Sequence, residues 1–282
     1  MKITSGTRLL ALFGYPVGHS LSPNMHNAAF QEMGLDYCYV ALPVAPEALA
    51  DAVRAIRALN LRGVNITVPH KENVIPHLDE VDGEAAFIGA VNTIVNNEGR
   101  LKGYNTDGRG FMQSLSEEGI DVSGKNVLVV GAGGASRAVS YYLSGKAGAL
   151  SIFDVDRGKL ERLVSDLGRI RKNVSAARDG RIDGADVIVN ATPLGLKESD
   201  PLPVDVQGLG PQMAAVDLIY KETPFLRAAA KAGVKTMNGL GMLLWQGVFA
   251  FELWTGKRPP HELMRNELLK GFAGKAEKGK KS

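Results

Sequence analysis

The chain has 282 residues, 45% hydrophobic and 22% charged, with a formal net charge of +3, which fits a soluble globular protein of one large or two ordinary domains. A single cysteine, Cys38, excludes an intrachain disulfide. No apolar run is long enough to span a bilayer, and the early apolar stretch lacks the form of a signal peptide, so a reducing cytoplasm is the expected location. Much of the positive charge sits in residues 275–282, four lysines and one glutamate, a tail expected to be disordered; neither nucleic acid nor membrane is an expected partner.

Strand and helix signals alternate, which predicts an α/β protein with mostly parallel strands. Residues 8–14, 38–44 and 63–68 read as strands, and Cys38, at the start of the second, as a buried thiol. Residues 23–33 read as a helix with Ser22 as N-cap, Pro23 at its first position and Gly34 as the stop. Residues 46–59 read as a second helix, with Leu49, Val53, Ile56 and Leu59 on one face. A hairpin is expected at 91–95 and 100–103, turning through Asn96, Asn97, Glu98 and Gly99. The pattern restarts after Asp107 with strands at 126–130, 150–154, 186–191 and 214–218 and helices at 135–143 and 159–167. Residues 239–272 read as two helices, the first apolar on most faces and expected to pack back on the first half.

Gly131-Ala132-Gly133-Gly134-Ala135-Ser136 follows a strand and opens a helix, the context of a dinucleotide-binding turn. Glycines let the backbone approach a pyrophosphate held at the helix N-terminus. Asp154 closes the next strand, where a carboxylate accepts from adenosine ribose hydroxyls and repels a 2′-phosphate. Arg157 and Lys159 lie near enough in sequence to offset part of that repulsion, and Asp154 also suits a helix cap. On balance these residues favour NAD.

Four polar clusters occupy the first half. Ser20 and Ser22 lie two apart, and Asn65 and Thr67 share one face of a strand that ends at Pro69 and leads to Lys71. Asn92 and Thr93, then Asn105, Thr106 and Asp107, add amides, hydroxyls and a carboxylate. Each alone suits a cap, a turn or a surface charge. Together they suggest a small ligand carrying several hydroxyls and a carboxylate.

Gly14-Tyr15-Pro16-Val17-Gly18-His19-Ser20-Leu21-Ser22-Pro23, Asn65-Ile66-Thr67-Val68-Pro69-His70-Lys71, residues 89–93, Asn105-Thr106-Asp107, residues 131–137 and Gly239-Leu240-Gly241-Met242-Leu243-Leu244-Trp245-Gln246 resemble the signature segments of the shikimate dehydrogenase family, in the family's order. The resemblance implies two domains: a substrate domain of residues 1–107 plus 239–274, and a Rossmann-type doubly wound dinucleotide domain of residues 108–238. It also implies reversible reduction of 3-dehydroshikimate by a nicotinamide cofactor, in aromatic amino-acid biosynthesis. By position, Ser20 and Ser22 would hold the substrate carboxylate. Asn65, Thr67, Asn92, Asp107 and Gln246 would meet the ring oxygens, and Tyr220 would close the site. Lys71 and Asp107 would be the catalytic pair, and the backbone at Leu218 and Gly239 would meet the nicotinamide half.

Ketone reduction needs a proton donor where negative charge develops, and the Lys71 ammonium suits that task. An ordinary lysine has a pKa of about 10.4 and a nearby carboxylate raises it, so acting as a base requires desolvation or proton passage through the pair. The family's usual Asn-Arg-Thr run, which meets the 2′-phosphate of NADP, is here Asp154-Val155-Asp156, in keeping with NAD. Pro193 stands where serine is commoner, with no assigned consequence. Two other readings stand beside this one: a degradative NAD-dependent quinate/shikimate dehydrogenase, and a non-catalytic dinucleotide-binding regulator. His19, His26, His70, His77 and His261 are scattered, so no metal is expected. Monomer and homodimer are both compatible with the sequence.

Overall fold

The computed structural model describes the backbone of residues 3–279 and the side chains of residues 3–273. The chain divides into two compact units, Met1–Thr106 with Gln246–Ser282, and Asp107–Trp245.

The first unit runs β1 (Arg8–Gly14), α1 (Ser22–Glu32), β2 (Tyr37–Pro43), α2 (Leu49–Ala58), β3 (Gly63–Ile66), β4 (Glu80–Val81), α3 (Gly83–Ile88), β5 (Thr93–Asn97) and β6 (Arg100–Tyr104). Its sheet has the order β2-β1-β3-β5-β6-β4. β1 lies parallel to β2 and β3, and the β5–β6 hairpin adds antiparallel to β3. Leu49, Val53 and Ile56 of α2 join Ala11, Phe13, Val64 and Ile66 in one core. Leu59, expected on the same face, follows the last helical residue and is 67% exposed. Ser22 opens α1 rather than capping it. Leu21 is the cap residue, and the Ser20 hydroxyl donates to Ser22 Oγ (3.2 Å). The helix stops where Gly34 turns to φ +60.

Two further expectations are corrected. β3 ends at Ile66, two residues short of the strand expected to reach residue 68, and Val68 is 68% exposed. Beyond Ile66 the chain turns, with Thr67 N donating to Phe13 O and His70 N to Thr67 O. The hairpin turn consists of Glu98 (φ 53) and Gly99 (φ 92), two left-handed residues that match strand twist. Asn96 stays in the strand: its Oδ1 accepts from Gly99 N and its Nδ2 donates to Leu61 O, both at 2.8 Å.

The second unit runs α4 (Asp107–Glu117), β7 (Asn126–Val130), α5 (Gly134–Ser144), β8 (Ala149–Phe153), α6 (Arg157–Gly168), β9 (Val174–Ala176), β10 (Val187–Asn190), β11 (Ala214–Asp217), α7 (Pro224–Lys231) and β12 (Lys235–Met237). All six strands are parallel in the order β12-β11-β10-β7-β8-β9, a doubly wound sheet whose chain order reverses between β7 and β10. β10 and β11 are buried throughout, as β7 is from Val127 to Val130, which is why these strands read as continuous apolar runs.

The last helices are α8 (Leu240–Thr255) and α9 (His261–Gly279). No residue of α8 from Gly241 to Trp254 is exposed, as its apolar faces require. The division between units falls inside α8, at Gln246, not at Gly239. Before it, Gly241 lies against Ser114, and Trp245 Nε1 donates to Glu117 Oε2 (2.9 Å), which hold the first turns to α4. After it, Gly247 lies against Met25, and Trp254 Nε1 donates to Ile94 O (3.0 Å) above Gly63. A Cβ on Gly63 would lie 2.2 Å from that indole nitrogen, so glycine there is a packing requirement. α9 packs on α1. It continues to Gly279, into the segment expected to be disordered, since Lys275, Ala276, Glu277 and Lys278 are good helix formers following an established helix. Residues 280–282 of that tail lie outside the described residues. Among the described residues no helix is long and apolar enough to cross a membrane.

Candidate active site

In the first unit, side chains from four loop and strand ends form one hydrogen-bond network. The Tyr39 hydroxyl donates to Asn65 Oδ1 (2.7 Å). Asn65 Nδ2 donates to Asn92 O (3.1 Å) and Thr93 Oγ1 (3.0 Å), and Thr93 Oγ1 donates to Asn92 Oδ1 (3.0 Å). Asn92 Nδ2 donates to Thr106 Oγ1 (2.9 Å), which donates to the main-chain carbonyl of Gln246 (3.0 Å). The network joins Asn65, Asn92 and Gln246, three of the residues predicted from sequence, while Ser20 and Ser22, also predicted, bond one another (3.2 Å) at the start of α1. The main chain is tied as well, with Thr106 N donating to Asn92 Oδ1 (2.9 Å). Buried amides and hydroxyls satisfied in this way hold fixed rotamers, the condition for recognising a small polar ligand.

Thr67 and Lys71 follow β3, at the carboxyl end where open α/β sheets bind ligands. Gly14 permits the close approach: a Cβ there would stand 2.3 Å from Thr67 Cγ2. Lys71 is half-buried, and its carbonyl accepts from Val91 N (2.8 Å), fixing the loop from which its amine extends. His70, buried in the same loop, bonds Val44 O through Nε2 (2.7 Å).

Asp107 is the first residue of the second unit and of α4. It is buried, and a helix N-terminus favours its negative charge. The next residue, Gly108, lies against α5: a Cβ there would meet Ala138 O at 2.5 Å. The helix carrying Asp107 is thereby seated on the helix that opens at the glycine turn.

That turn joins β7 to α5. Gly131 has φ +108, and a Cβ on it would stand 2.9 Å from Ala191 O. Gly131 N donates to Phe153 O (2.7 Å), and the Ser136 hydroxyl donates to Gly131 O (2.5 Å). Around Gly133 the space is open, and α5 begins at Gly134 with Ala135 in its first turn. Asp154 accepts from Ala132 N (2.6 Å) through Oδ2 and from Asp156 N (2.7 Å) through Oδ1. The helix cap is Asp156, which accepts from Lys159 N (3.0 Å). An open approach to glycine amides at a helix N-terminus, with a carboxylate at the end of the next strand, fits a dinucleotide.

Leu218, Tyr220 and Gly239 gather at the ends of β11 and β12. Gly239 N donates to Ile219 O (3.0 Å), and a Cβ on Gly239 would lie 2.1 Å from Leu218 O and 2.9 Å from Tyr220 Cδ1. Tyr220 is exposed. Beneath this loop Asp217 accepts from Ile219 N, Asn190 Nδ2 and the Thr223 hydroxyl. Burial pushes the Asp217 carboxyl above the usual carboxylate range, against those three donors.

Sequence reasoning missed Tyr39, Asp217 and Thr223. Tyr39 reads as an ordinary aromatic in a strand, and nothing in its spacing marks the hydroxyl. Asp217 left one signal, an acid ending the apolar run Ala214–Asp217.

The chain matches the shikimate dehydrogenase substrate binding domain over residues 12–94 and the shikimate 5'-dehydrogenase C-terminal domain over residues 239–269. It is 48% identical to a shikimate dehydrogenase (NADP(+)) of Desulforamulus reducens, covering 96% of this chain and 98% of the relative. Among solved structures, shikimate 5-dehydrogenase from Listeria monocytogenes, in complex with shikimate and NAD, matches with a TM-score of 0.89 at 38% identity, covering 95% of this chain and 98% of that one. The enzyme from Thermus thermophilus, in complex with NADP(H) and shikimate, matches with a TM-score of 0.87 at 38% identity, covering 94% and 100%. With likeness of this extent running through both units, the chain belongs to the shikimate dehydrogenase family.

Proposed function

We propose that this chain is a shikimate dehydrogenase, which reversibly reduces 3-dehydroshikimate to shikimate with a nicotinamide dinucleotide in aromatic amino-acid biosynthesis. The observation that carries the reading is the network through Asn65, Asn92 and Gln246, together with the bonded pair Ser20 and Ser22, whose hydroxyls and amides suit a polyhydroxylated carboxylate. Ser20 and Ser22 hold the carboxylate. Asn65, Thr67, Asn92, Asp107 and Gln246 meet the ring oxygens, and Tyr220 covers the ligand.

Lys71 and Asp107 are the catalytic pair. The Lys71 ammonium delivers a proton to the ketone oxygen, or takes it back from the hydroxyl in the reverse direction. A carboxylate beside an ammonium favours its charged form, so the proton passes through the pair as a unit. The dinucleotide, when bound, supplies or accepts the hydride. Gly131, Ala132, Gly133, Gly134 and Ala135 hold its pyrophosphate, and the main chain at Leu218 and Gly239 meets its nicotinamide half. The presence of both Lys71 and Asp107 disfavours the non-catalytic regulator.

At the adenosine end our reading is NAD, although the Desulforamulus relative is named for NADP(+). Asp154 is bonded to the glycine turn itself, where a 2′-phosphate meets like charge. The nearby cations already have partners: Arg157 donates to Arg178 O (3.1 Å), and Lys159 pairs with Asp156 (3.6 Å).

Initial rates of shikimate and quinate oxidation with each dinucleotide test both readings. Turnover is expected on shikimate, with the larger kcat/KM for NAD. No shikimate turnover with either dinucleotide overturns the activity, and a large NADP preference overturns the cofactor reading alone.

A further inference from the structure

β10 and β11 lie side by side with Asn190 opposite Asp217, each the last residue of its strand. Both side chains are fully buried and close runs that are otherwise apolar. They stand at the carboxyl edge of the sheet, and β10 also pairs with β7, where the chain order reverses and α/β sheets take ligands.

Every hydrogen-bonding position of Asn190 is used. Its Oδ1 accepts from Thr192 N (3.0 Å) and the Thr192 hydroxyl (2.7 Å), which fixes the orientation of the amide. Its Nδ2 donates to Leu194 O (3.0 Å) and to Asp217 Oδ2 (3.1 Å). Asp217 Oδ2 also accepts from the Thr223 hydroxyl (2.7 Å), and Oδ1 accepts from Ile219 N (3.0 Å). Both carboxylate oxygens therefore face N–H groups that can only donate. An amide at this position would set one N–H against another, so the site calls for a carboxylate and not merely for a polar side chain.

Two segments of the dinucleotide site hang on this pair. Ala191 and Thr192 press on the glycine turn: a Cβ on Gly131 would stand 2.9 Å from Ala191 O and 3.1 Å from Thr192 Cγ2. On the other side, Leu218 N donates to Asn190 O and Gly239 N to Ile219 O, both at 3.0 Å. Leu218 O lies so close to Gly239 that a Cβ there would stand 2.1 Å away. The pair thus ties the segment against the pyrophosphate turn to the main chain assigned to the nicotinamide half.

We propose that Asp217, through Asn190, is a positioning residue for the dinucleotide, which fixes the separation between the glycine turn and the Leu218–Gly239 main chain. It does so from beneath the loops, without touching the cofactor. A dinucleotide held at both ends places its nicotinamide for hydride transfer only while that separation is kept. This role rests on the dinucleotide reading above.

Asp217→Asn keeps the side-chain volume and sets donor against donor. ADP-ribose lacks the nicotinamide and engages the glycine turn alone, so its comparison with NAD reads the separation itself. By titration calorimetry, NAD affinity is expected to fall about tenfold and ADP-ribose affinity to stay within about twofold. In steady state, kcat should fall about tenfold with little change in the KM for shikimate. In an Asn190→Ala background the same substitution is expected to add less than about twofold. There the new amide can keep its oxygen on Ile219 N and turn its N–H to the Thr223 hydroxyl, which accepts. Parallel loss of NAD and ADP-ribose, or no loss of either, overturns the proposal. Should Asp217→Asn fail to fold, Thr223→Val carries the test by withdrawing one donor from the same carboxylate: about threefold weaker NAD binding is expected with ADP-ribose unchanged, and equal behaviour of the two ligands contradicts the role. Wild type is titrated first. If it binds NADP and not NAD, the cofactor reading falls, and NADP with 2′-phospho-ADP-ribose takes the place of the pair; if it binds neither dinucleotide, the dinucleotide reading falls and this role with it.

Discussion

The two units build their sites by opposite means. In the first, side chains carry the polar groups: hydroxyls and amides from Tyr39 to Thr106 hold one another in a buried network. In the second, missing side chains matter most. Gly131, Gly108 and Gly239 each let backbone or a neighbouring helix come closer than any Cβ allows. Damage should therefore follow from removing atoms in the first unit and from adding them in the second.

The largest expected effect separates chemistry from binding. Lys71→Ala should lower kcat by about 10²–10⁴, the range of general acid–base catalysis, with dinucleotide affinity nearly unchanged. Near-normal turnover removes Lys71 from the mechanism. Gly131→Ala should be the reverse case. The φ of +108 and the 2.9 Å approach to Ala191 O oppose even one methyl group. Strain of about 1–3 kcal/mol corresponds to roughly 5- to 150-fold weaker dinucleotide binding, measured by titration calorimetry, with shikimate affinity retained.

A smaller effect sharpens the adenosine end. Asp154→Asn removes the charge and keeps an acceptor for Ala132 N, so the NADP-to-NAD ratio of kcat/KM should rise about tenfold. An unchanged ratio means that Asp154 does not discriminate.

An effect on stability rather than on binding lies in the first unit's core. His26 is fully buried among Phe30, Tyr39, Phe251 and Trp254, both ring nitrogens lack a hydrogen-bond partner, and desolvation lowers its pKa from 6.5 to about 3. The unfolded chain binds this proton before the folded one does. The contribution is complete above pH 6.5 and is lost as pH falls towards 3, by at most about 1.4 kcal/mol per pH unit. Urea midpoints of wild type should drop through that window, and those of His26→Phe should drop less steeply. Parallel curves contradict a neutral buried His26.

What the sequence made legible follows the same contrast. The glycine turn, Asp154 and the strands of the second unit were readable because backbone requirements leave glycines and apolar runs in the sequence itself. Ser20, Ser22, Asn65 and Asn92 were readable as clusters, yet the Tyr39 hydroxyl that bonds Asn65 was not. Its partner Asn65 lies 26 residues away, a pairing only the fold creates. The misread positions have local causes. Leu59 keeps helical spacing one residue past the helix, and Val68 keeps strand alternation after the chain has turned. Asn96 reads as a turn former but is spent bracing Leu61 and Gly99. The division inside α8 escaped notice because an all-round apolar helix shows no change of face where its packing partner changes from Ser114 to Met25.

The division of labour is tested most directly by titrating shikimate and NAD separately into Asn65→Ala and Gly131→Ala. A crossed pattern is expected. Asn65→Ala should lose shikimate affinity by about tenfold or more and keep NAD, while Gly131→Ala should lose NAD and keep shikimate. Parallel loss of both ligands in either folded variant contradicts it.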